Sequence, residues 1–515
     1  MLLAQLTSVD LAIVAIYILA ATFLGVWFNR HQRDLSTYLV GDRDVGWWLV
    51  LVSIVATETS TVTFLSIPGL GFNREGGNLA FLQLAFGFVA GRILIAWFLL
   101  PQYLHGHFFS AYQLLKLRFS TAVQRTASSI FLLTRTVADG LRLYLAALLL
   151  EQCTGWDTAS AALAIGGATM LYTYLGGMKA VIWTDLIQFV IYITGALFAA
   201  YFILGQVDGG LDGFMAVGQA HHKFDLIFLS TNFDERYTLW AGLIGGAFLT
   251  MASHGADQMM VQRYLCSRSL AGARTALVAS GFVVLLQFLL FLLIGVGMFI
   301  LWEQHTLTLP VGIKDDAVFG HFIVHFLPTG VVGLLIAAVL AASMASLASS
   351  LSSAASAFVS DFYRPMRPGR DEKHYLRVSR LMTCFWGLTR IGVALAAVSL
   401  VGNTSVVGQV LSVAGFTTGT ILGLFLLGTA KRPVPSASAL GGLVVGFLAV
   451  LCVWWLSDLA WPWYAPLGTV ATVSVALFLD SLGIGHGSFA DRSTQPSIDQ
   501  SGPADAAATR QVDER

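Results

Sequence analysis

Apolar residues in this chain come in long runs, with neither the alternation of a surface strand nor the single stripe of a soluble helix. A helix rises 1.5 Å per residue, so about 20 apolar residues cross a bilayer's hydrocarbon core. By that measure the sequence predicts thirteen spans: 8–29, 46–72, 78–104, 126–151, 157–175, 179–206, 238–262, 272–301, 328–361, 376–400, 405–430, 437–457 and 461–483. The expected fold class is an all-α polytopic membrane protein. It has one transmembrane domain over 1–483 and a polar, disordered tail over 484–515.

The second run is interrupted. Between Gly46-Trp-Trp and Pro68-Gly69, the residues from Thr57 to Thr63 carry one carboxylate, Glu58, and five hydroxyls. Polar groups at that depth are costly unless they face protein, water or a ligand, and Pro68-Gly69 weakens the helix further. The seventh run is interrupted too, by Gly245-Gly246-Ala-Phe-Leu-Thr250-Met-Ala-Ser253-His254-Gly255. The two lie five spans apart and run in opposite directions. Interrupted helices at matching positions of oppositely oriented halves point to an inverted-repeat secondary transporter. Pairing spans 2–6 with 7–11 puts the core repeats at about 46–206 and 238–430.

Composition agrees: 56% of residues are hydrophobic and 11% charged, where soluble domains carry about 25% charged residues. The formal net charge is zero, so nothing suggests nucleic acid as a partner. Cys153, Cys266, Cys384 and Cys452 are scattered and read as packing residues. The histidines show no metal-ligand spacing, no cofactor motif stands out, and no acid, base and nucleophile set suggests an enzyme. The N-terminus lacks the basic region of a signal peptide. Of the 29 lysines and arginines, 21 fall in alternate loops and the tail. Four, Arg74, Lys223, Arg236 and Lys314, fall in the opposite loops, and Arg92, Arg135, Arg142 and Arg390 fall within spans. That split predicts a multi-pass protein of the cytoplasmic membrane with its N-terminus outside and its C-terminus in the cytoplasm.

The segment Leu171-Tyr-Thr-Tyr-Leu-Gly-Gly-Met-Lys-Ala-Val-Ile-Trp-Thr-Asp185-Leu-Ile-Gln188 resembles the signature of the sodium:solute symporter family. That family includes sodium/glucose, sodium/proline and sialic acid symporters. Three further blocks agree in order: Gly46-Trp-Trp to Pro68-Gly69, His254-Gly-Ala-Asp-Gln258-Met-Met-Val-Gln-Arg263, and Leu340-Ala-Ala-Ser to Ser360-Asp-Phe-Tyr363. The resemblance covers roughly 8–430 and implies a leucine-transporter-type fold of five plus five helices.

The resemblance also implies a sodium site. Its ligands are the backbone carbonyls of Ala56, Thr59 and Ala342 and the side-chain positions Ala345 and Ser346. Relatives commonly carry two adjacent hydroxyls where this chain has Ala345-Ser346, so one oxygen is missing. A second sodium, used by some relatives, falls at Asp185 and Ser349, with Ala348 replacing another hydroxyl. Substrate contacts map onto Glu58, Ser60, Thr61, Thr63 and Gln83. The arginine that binds the acid in sialic acid symporters falls nearest Ala138. Asp139 and Arg142 at i, i+3, and His254, are further substrate candidates.

The expected function is sodium-driven import of a small polar organic solute by alternating access, with solute, sodium ion and lipid bilayer as partners. Two alternatives remain open: a proton-coupled or uncoupled transporter of the same fold, and a solute-sensing membrane receptor.

Overall fold

The computed structural model describes residues 6–29, 34–106, 108–400, 406–430 and 432–485. All but the first two residues of the predicted tail lie outside them. Among the described residues no strand forms, and a single bridge pairs Val45 with Ser267. The main helices are α1 Ser8–Asn29, α2 Trp47–Glu58, α3 Thr61–Phe72, α4 Leu82–Phe98, α5 Thr121–Thr154, α6 Thr158–Gln206, α7 Gly246–Gly255 and α8 Gln258–Leu265. They continue as α9 Leu270–Glu303, α10 Val331–Phe358, α11 Glu372–Leu400, α12 Val406–Thr429, α13 Ser436–Leu456 and α14 Tyr464–Ser481.

Seven of these (α1, α6, α9, α10, α11, α13 and α14) are long and apolar enough to cross a bilayer unaided, and α2 with α3 makes an eighth, bent by 69°. Helix α5 is as long but carries Arg125, Arg135, Asp139, Arg142 and Glu151 along its length. Helix α6 joins two predicted spans. Its 49 residues would stretch about 73 Å if straight, more than twice a bilayer core, and it turns at Gly177, with φ 59° and ψ −160°. A Cβ there would also lie 2.7 Å from the Tyr38 ring, so only glycine suits the corner.

Helix α10 is the centre of the fold. Every residue from Leu335 to Ala357 is buried. Its alanines and serines let neighbours approach closely: Tyr172 of α6 donates to Met344 O at 3.1 Å. At its start, the Gly330 and Gly333 N–H groups both donate to Asp10 Oδ1 of α1 at 2.8 Å. This satisfies donors that a helix N-terminus leaves open.

Helix α3 lies against α9 with almost no space between backbones; a Cβ on Gly295 would fall 2.0 Å from Pro68 O. Its C-terminal end is held by Lys223, which the sequence places in an outer loop but which is only 2% exposed. The ammonium donates to Asn73 O at 2.8 Å and Phe72 O at 3.3 Å and sits 3.6 Å from the Phe299 ring centroid. A cation suits a helix C-terminus and a ring face, while burial pushes the ammonium down to about 8.

Candidate functional site

The break predicted near Thr57–Thr63 falls at Thr59 and Ser60. Thr59 is extended at ψ 110°, and its N–H closes the last turn of α2 on Val55 O at 3.0 Å. The next N–H, that of Ser60, does not follow, and among the described residues no backbone N–H donates to the Ala56 carbonyl. Ser60 restarts the chain as the N-cap of α3, its hydroxyl accepting from Thr63 N at 3.5 Å. The Thr59 hydroxyl is already engaged. It donates to Val55 O at 2.9 Å and accepts from Gln287 Nε2 at 2.8 Å, with the Tyr192 hydroxyl 3.3 Å away.

The seventh run is broken as well, later than its glycines suggest. Ala241–Gly245 forms one wide π turn, α7 ends at Gly255, and Asp257 caps α8 by accepting from Met259 N at 2.7 Å.

Three buried ionic clusters surround the first break. In the first, Arg92 of α4 donates to Glu58 Oε2 and, at 2.8 Å, to Ser280 Oγ of α9. His254 at the end of α7 lies 3.2 Å from Arg92 Nη2 and 3.5 Å from Glu58 Oε2, and its Nδ1 is 2.9 Å from Ser253 Oγ. The ends of both broken helices therefore meet on one guanidinium, and His254 is a packed, hydrogen-bonded ring only 2% exposed.

In the second, Asp185 of α6 and Arg263 of α8 pair at 3.3 Å with neither side chain exposed. Arg263 also donates to Met259 O at 2.6 Å, Ser53 O at 3.2 Å and Ser349 Oγ. Ser53 Oγ donates to Asp185 Oδ2 at 2.5 Å, and Ser349 lies 3.0 Å from the Thr57 hydroxyl. Arg263, counted with a cytoplasmic loop in the sequence, is thus wholly buried, because its carboxylate partner waits inside the bundle.

In the third, Asp139 of α5 meets Arg142 at 2.9 Å, Arg390 of α11 at 3.6 Å and Arg135 at 3.7 Å, and accepts from Ser350 Oγ of α10. Arg135 also faces Asp257 at 4.0 Å.

A small cavity lies where the break, α5 and α10 meet, lined by Ser60, Thr61, Asp139, Arg142, Ser343 and Ser346, with Leu143 and Leu347. Its free space of about 10 Å³ holds one water or ion, so a solute needs a wider conformation. The structure thus brings together Ser60, Thr61, Asp139, Arg142 and Ser346. Ala342 and Ala345 are fully buried beside them on α10. Thr63 lies one turn along, and Glu58 belongs to the Arg92 cluster. Gln83 stands apart: its amide donates to Tyr237 O at 2.9 Å and accepts from Phe228 N at 3.0 Å, which ties down the segment before the π turn.

Arg92 and Arg390, which the sequence places within spans, and Gln287 and Tyr192 carry no role in the sequence expectations. The signal for the arginines was present, since a charge inside a span needs a partner or a task. Ser343 lies about 200° from Ala345 but at i, i+3 from Ser346, so the two serines share a face.

The family model described as "Sodium:solute symporter family" matches residues 38–446. The sodium/sialic acid symporter SiaT of Proteus mirabilis is 30% identical over 471 residues, covering 90% of this chain and 93% of that protein. The solved structure of a Na+-coupled sialic acid symporter in a substrate-bound, outward-open state matches with TM-score 0.85 at 28% identity, covering 92% of this chain and 98% of that one. Mhp1, a nucleobase-cation-symport-1 family transporter, solved in a closed conformation, matches with TM-score 0.55 at 14% identity over 86% and 94% of the two chains, a likeness of fold alone.

Proposed function

This chain belongs to the sodium:solute symporter family and is a sodium-coupled secondary transporter of leucine-transporter type; from that premise we propose where its ion and solute bind and how they are coupled. One sodium ion sits between the break and α10, held by the carbonyls of Ala56, Thr59 and Ala342 and by the Ser346 hydroxyl, with Ala345 contributing no oxygen. The observation that carries this reading is the break itself. It leaves the Ala56 carbonyl without a helical donor and opens, at Ser60 and Thr61, onto a cavity shared with Ser346. Neutral oxygens from an unwound turn suit a weakly charged cation at mid-membrane.

The place of a second ion, between Asp185 and Ser349, is taken up by the Arg263 guanidinium, which favours one sodium per cycle. The small polar organic solute lies beside the break, against Ser60, Thr61 and Thr63 on one side and Asp139 and Arg142 on the other. Glu58 and His254, clamped by Arg92, shape that site from the ends of the broken helices, and Gln83 supports it from the outer segment.

Ion binding holds α2 and α3 against α10 and orders the hydroxyl-rich turn, so ion and solute raise each other's affinity. Rocking of one bundle against the other, with core repeats at about 46–206 and 238–430, exposes the site to each side in turn. Within this reading the chain crosses the membrane thirteen times, with its N-terminus outside and the 484–515 tail in the cytoplasm.

The test is Ser346→Ala in purified protein. Sodium-dependent stabilisation should shift to higher sodium while the protein stays folded. A sodium titration identical to that of the wild type overturns the site.

A further inference from the structure

Away from the ion and solute site, His321 and His325 depart from the expectation that no histidines carry metal-ligand spacing. They stand four residues apart on the short helix Val318–Phe326, between α9 and α10, and so share one face of it. Two imidazoles at i, i+4 is the spacing by which a helix offers two nitrogens to one metal ion.

The rings are stacked, with centroids 4.2 Å apart and planes 26° from parallel. His325 is exposed and His321 half-buried. His325 Nδ1 lies 3.0 Å from the His321 carbonyl oxygen. A carbonyl only accepts, so Nδ1 carries the proton and Nε2 keeps a lone pair. The His321 ring donates to the Thr308 carbonyl, so in its neutral form the other nitrogen is an acceptor as well. A ring with one N–H tied to a carbonyl is the usual state of a metal-ligating histidine: the carbonyl fixes the tautomer and raises the basicity of the free nitrogen.

Imidazole nitrogens suit zinc, copper and nickel, whereas magnesium and calcium take oxygen ligands. Among the described residues no three His, Cys, Asp or Glu side chains gather into a metal site, and Asp315, just ahead of the helix, is engaged by Arg74 at 3.4 Å. Two protein ligands leave the other positions to water, which fits an exchangeable ion taken from solution and not a closed structural one.

We infer that His321 and His325 form a two-imidazole site for a divalent transition-metal cation, on the face that the proposed topology puts outside. The opposite face of the helix packs Phe319 on Phe64 of α3 at 5.7 Å and Phe322 on Phe202 of α6 at 6.4 Å. Phe64 stands four residues beyond Ser60, so a bound ion steadies the helix against the outer half of the broken span. Metal occupancy is thereby linked to sodium at the break.

The experiment is a calorimetric titration of tag-free, full-length protein in detergent with zinc, nickel or magnesium chloride, in wild type, His321→Ala and His325→Ala. Wild type should bind one zinc or nickel ion and no magnesium. Each substitution should weaken zinc by at least about tenfold, the lower end of what even an outer partner of a ligating histidine is worth. His325 is exposed and bonds within its own helix, so His325→Ala tests the site if His321→Ala does not fold. A wild type that binds neither zinc nor nickel, or a His325→Ala titration superimposable on it, overturns the site.

A second arm repeats the sodium titration, read by thermal stabilisation, with and without saturating zinc. The sodium midpoint of the wild type should move, and that of His325→Ala should not. A wild-type midpoint that zinc leaves in place overturns the link to the break. Zinc binding without any sodium response overturns the ion site proposed above and leaves the metal site standing.

Discussion

Replacing Arg263 by methionine removes a guanidinium that is 0% exposed and lies 3.3 Å from an equally buried Asp185. At that separation the attraction is about 5 kcal/mol for an effective dielectric constant of about 20. Desolvation of both ions consumes much of it, so the intact pair is worth little net, but a lone buried charge is expensive. In Arg263→Met, Asp185 keeps the Ser53 hydroxyl as a donor, and its Oδ1 already lacks a partner among the described residues. The expected loss is about 3–5 kcal/mol. In Asp185→Asn the guanidinium retains Met259 O, Ser53 O and Ser349 Oγ, and the expected loss is smaller, about 2 kcal/mol. The double variant should lose less than the sum of the two by about 2–3 kcal/mol. Unfolding of the four proteins in detergent micelles, followed by fluorescence, measures the cycle. Single variants as stable as wild type, or a strictly additive double, would refute the account of this pair. Sodium activation with a Hill coefficient of about 2 would contradict the single ion that the pair implies.

Two further outcomes are expected. Glu58→Gln leaves the buried Arg92 without its carboxylate, so solute affinity or selectivity should change and stability should fall by about 3 kcal/mol; a variant matching wild type in both respects would remove Glu58 from the site. Lys223 is pushed down to about 8 by burial, so from pH 8 to about 10 the folded state binds fewer protons than the unfolded chain and stability rises with pH. The thermal stability of wild type relative to Lys223→Met should therefore improve across that window, and a flat difference would show that the lysine titrates ordinarily.

What the sequence revealed follows from how local each signal is. The break at Thr59 and Ser60 was legible because a carboxylate and five hydroxyls interrupt an apolar run within about two helical turns. The corner at Gly177 falls in the gap between the predicted spans 157–175 and 179–206. Arg263 was misplaced because a basic residue at the end of a span reads as a loop charge, and the carboxylate that draws it inward lies 78 residues earlier. Gln83 was read as a solute contact, but its partners Phe228 and Tyr237 lie 145 and 154 residues onward, beyond any local pattern. The Asp139 pairing with Arg142 could be read from helical spacing, whereas its meeting with Arg390 depends on how α5 packs against α11. Residues on one turn can be paired from sequence; residues brought together by the bundle cannot.

The central claim is that one sodium ion at the break, α2 and α10 admits the solute. The most direct measurement is a solute screen by thermal shift on purified protein, with sugars, sugar acids, amino acids and short carboxylates each tested in sodium and in choline, for wild type and Ser346→Ala. Binding stabilises the folded state by mass action. The account predicts a solute that stabilises the wild type in sodium and not in choline, with the response in Ser346→Ala moved to higher sodium. A solute that stabilises equally in choline, or a Ser346→Ala response superimposable on wild type, would contradict it.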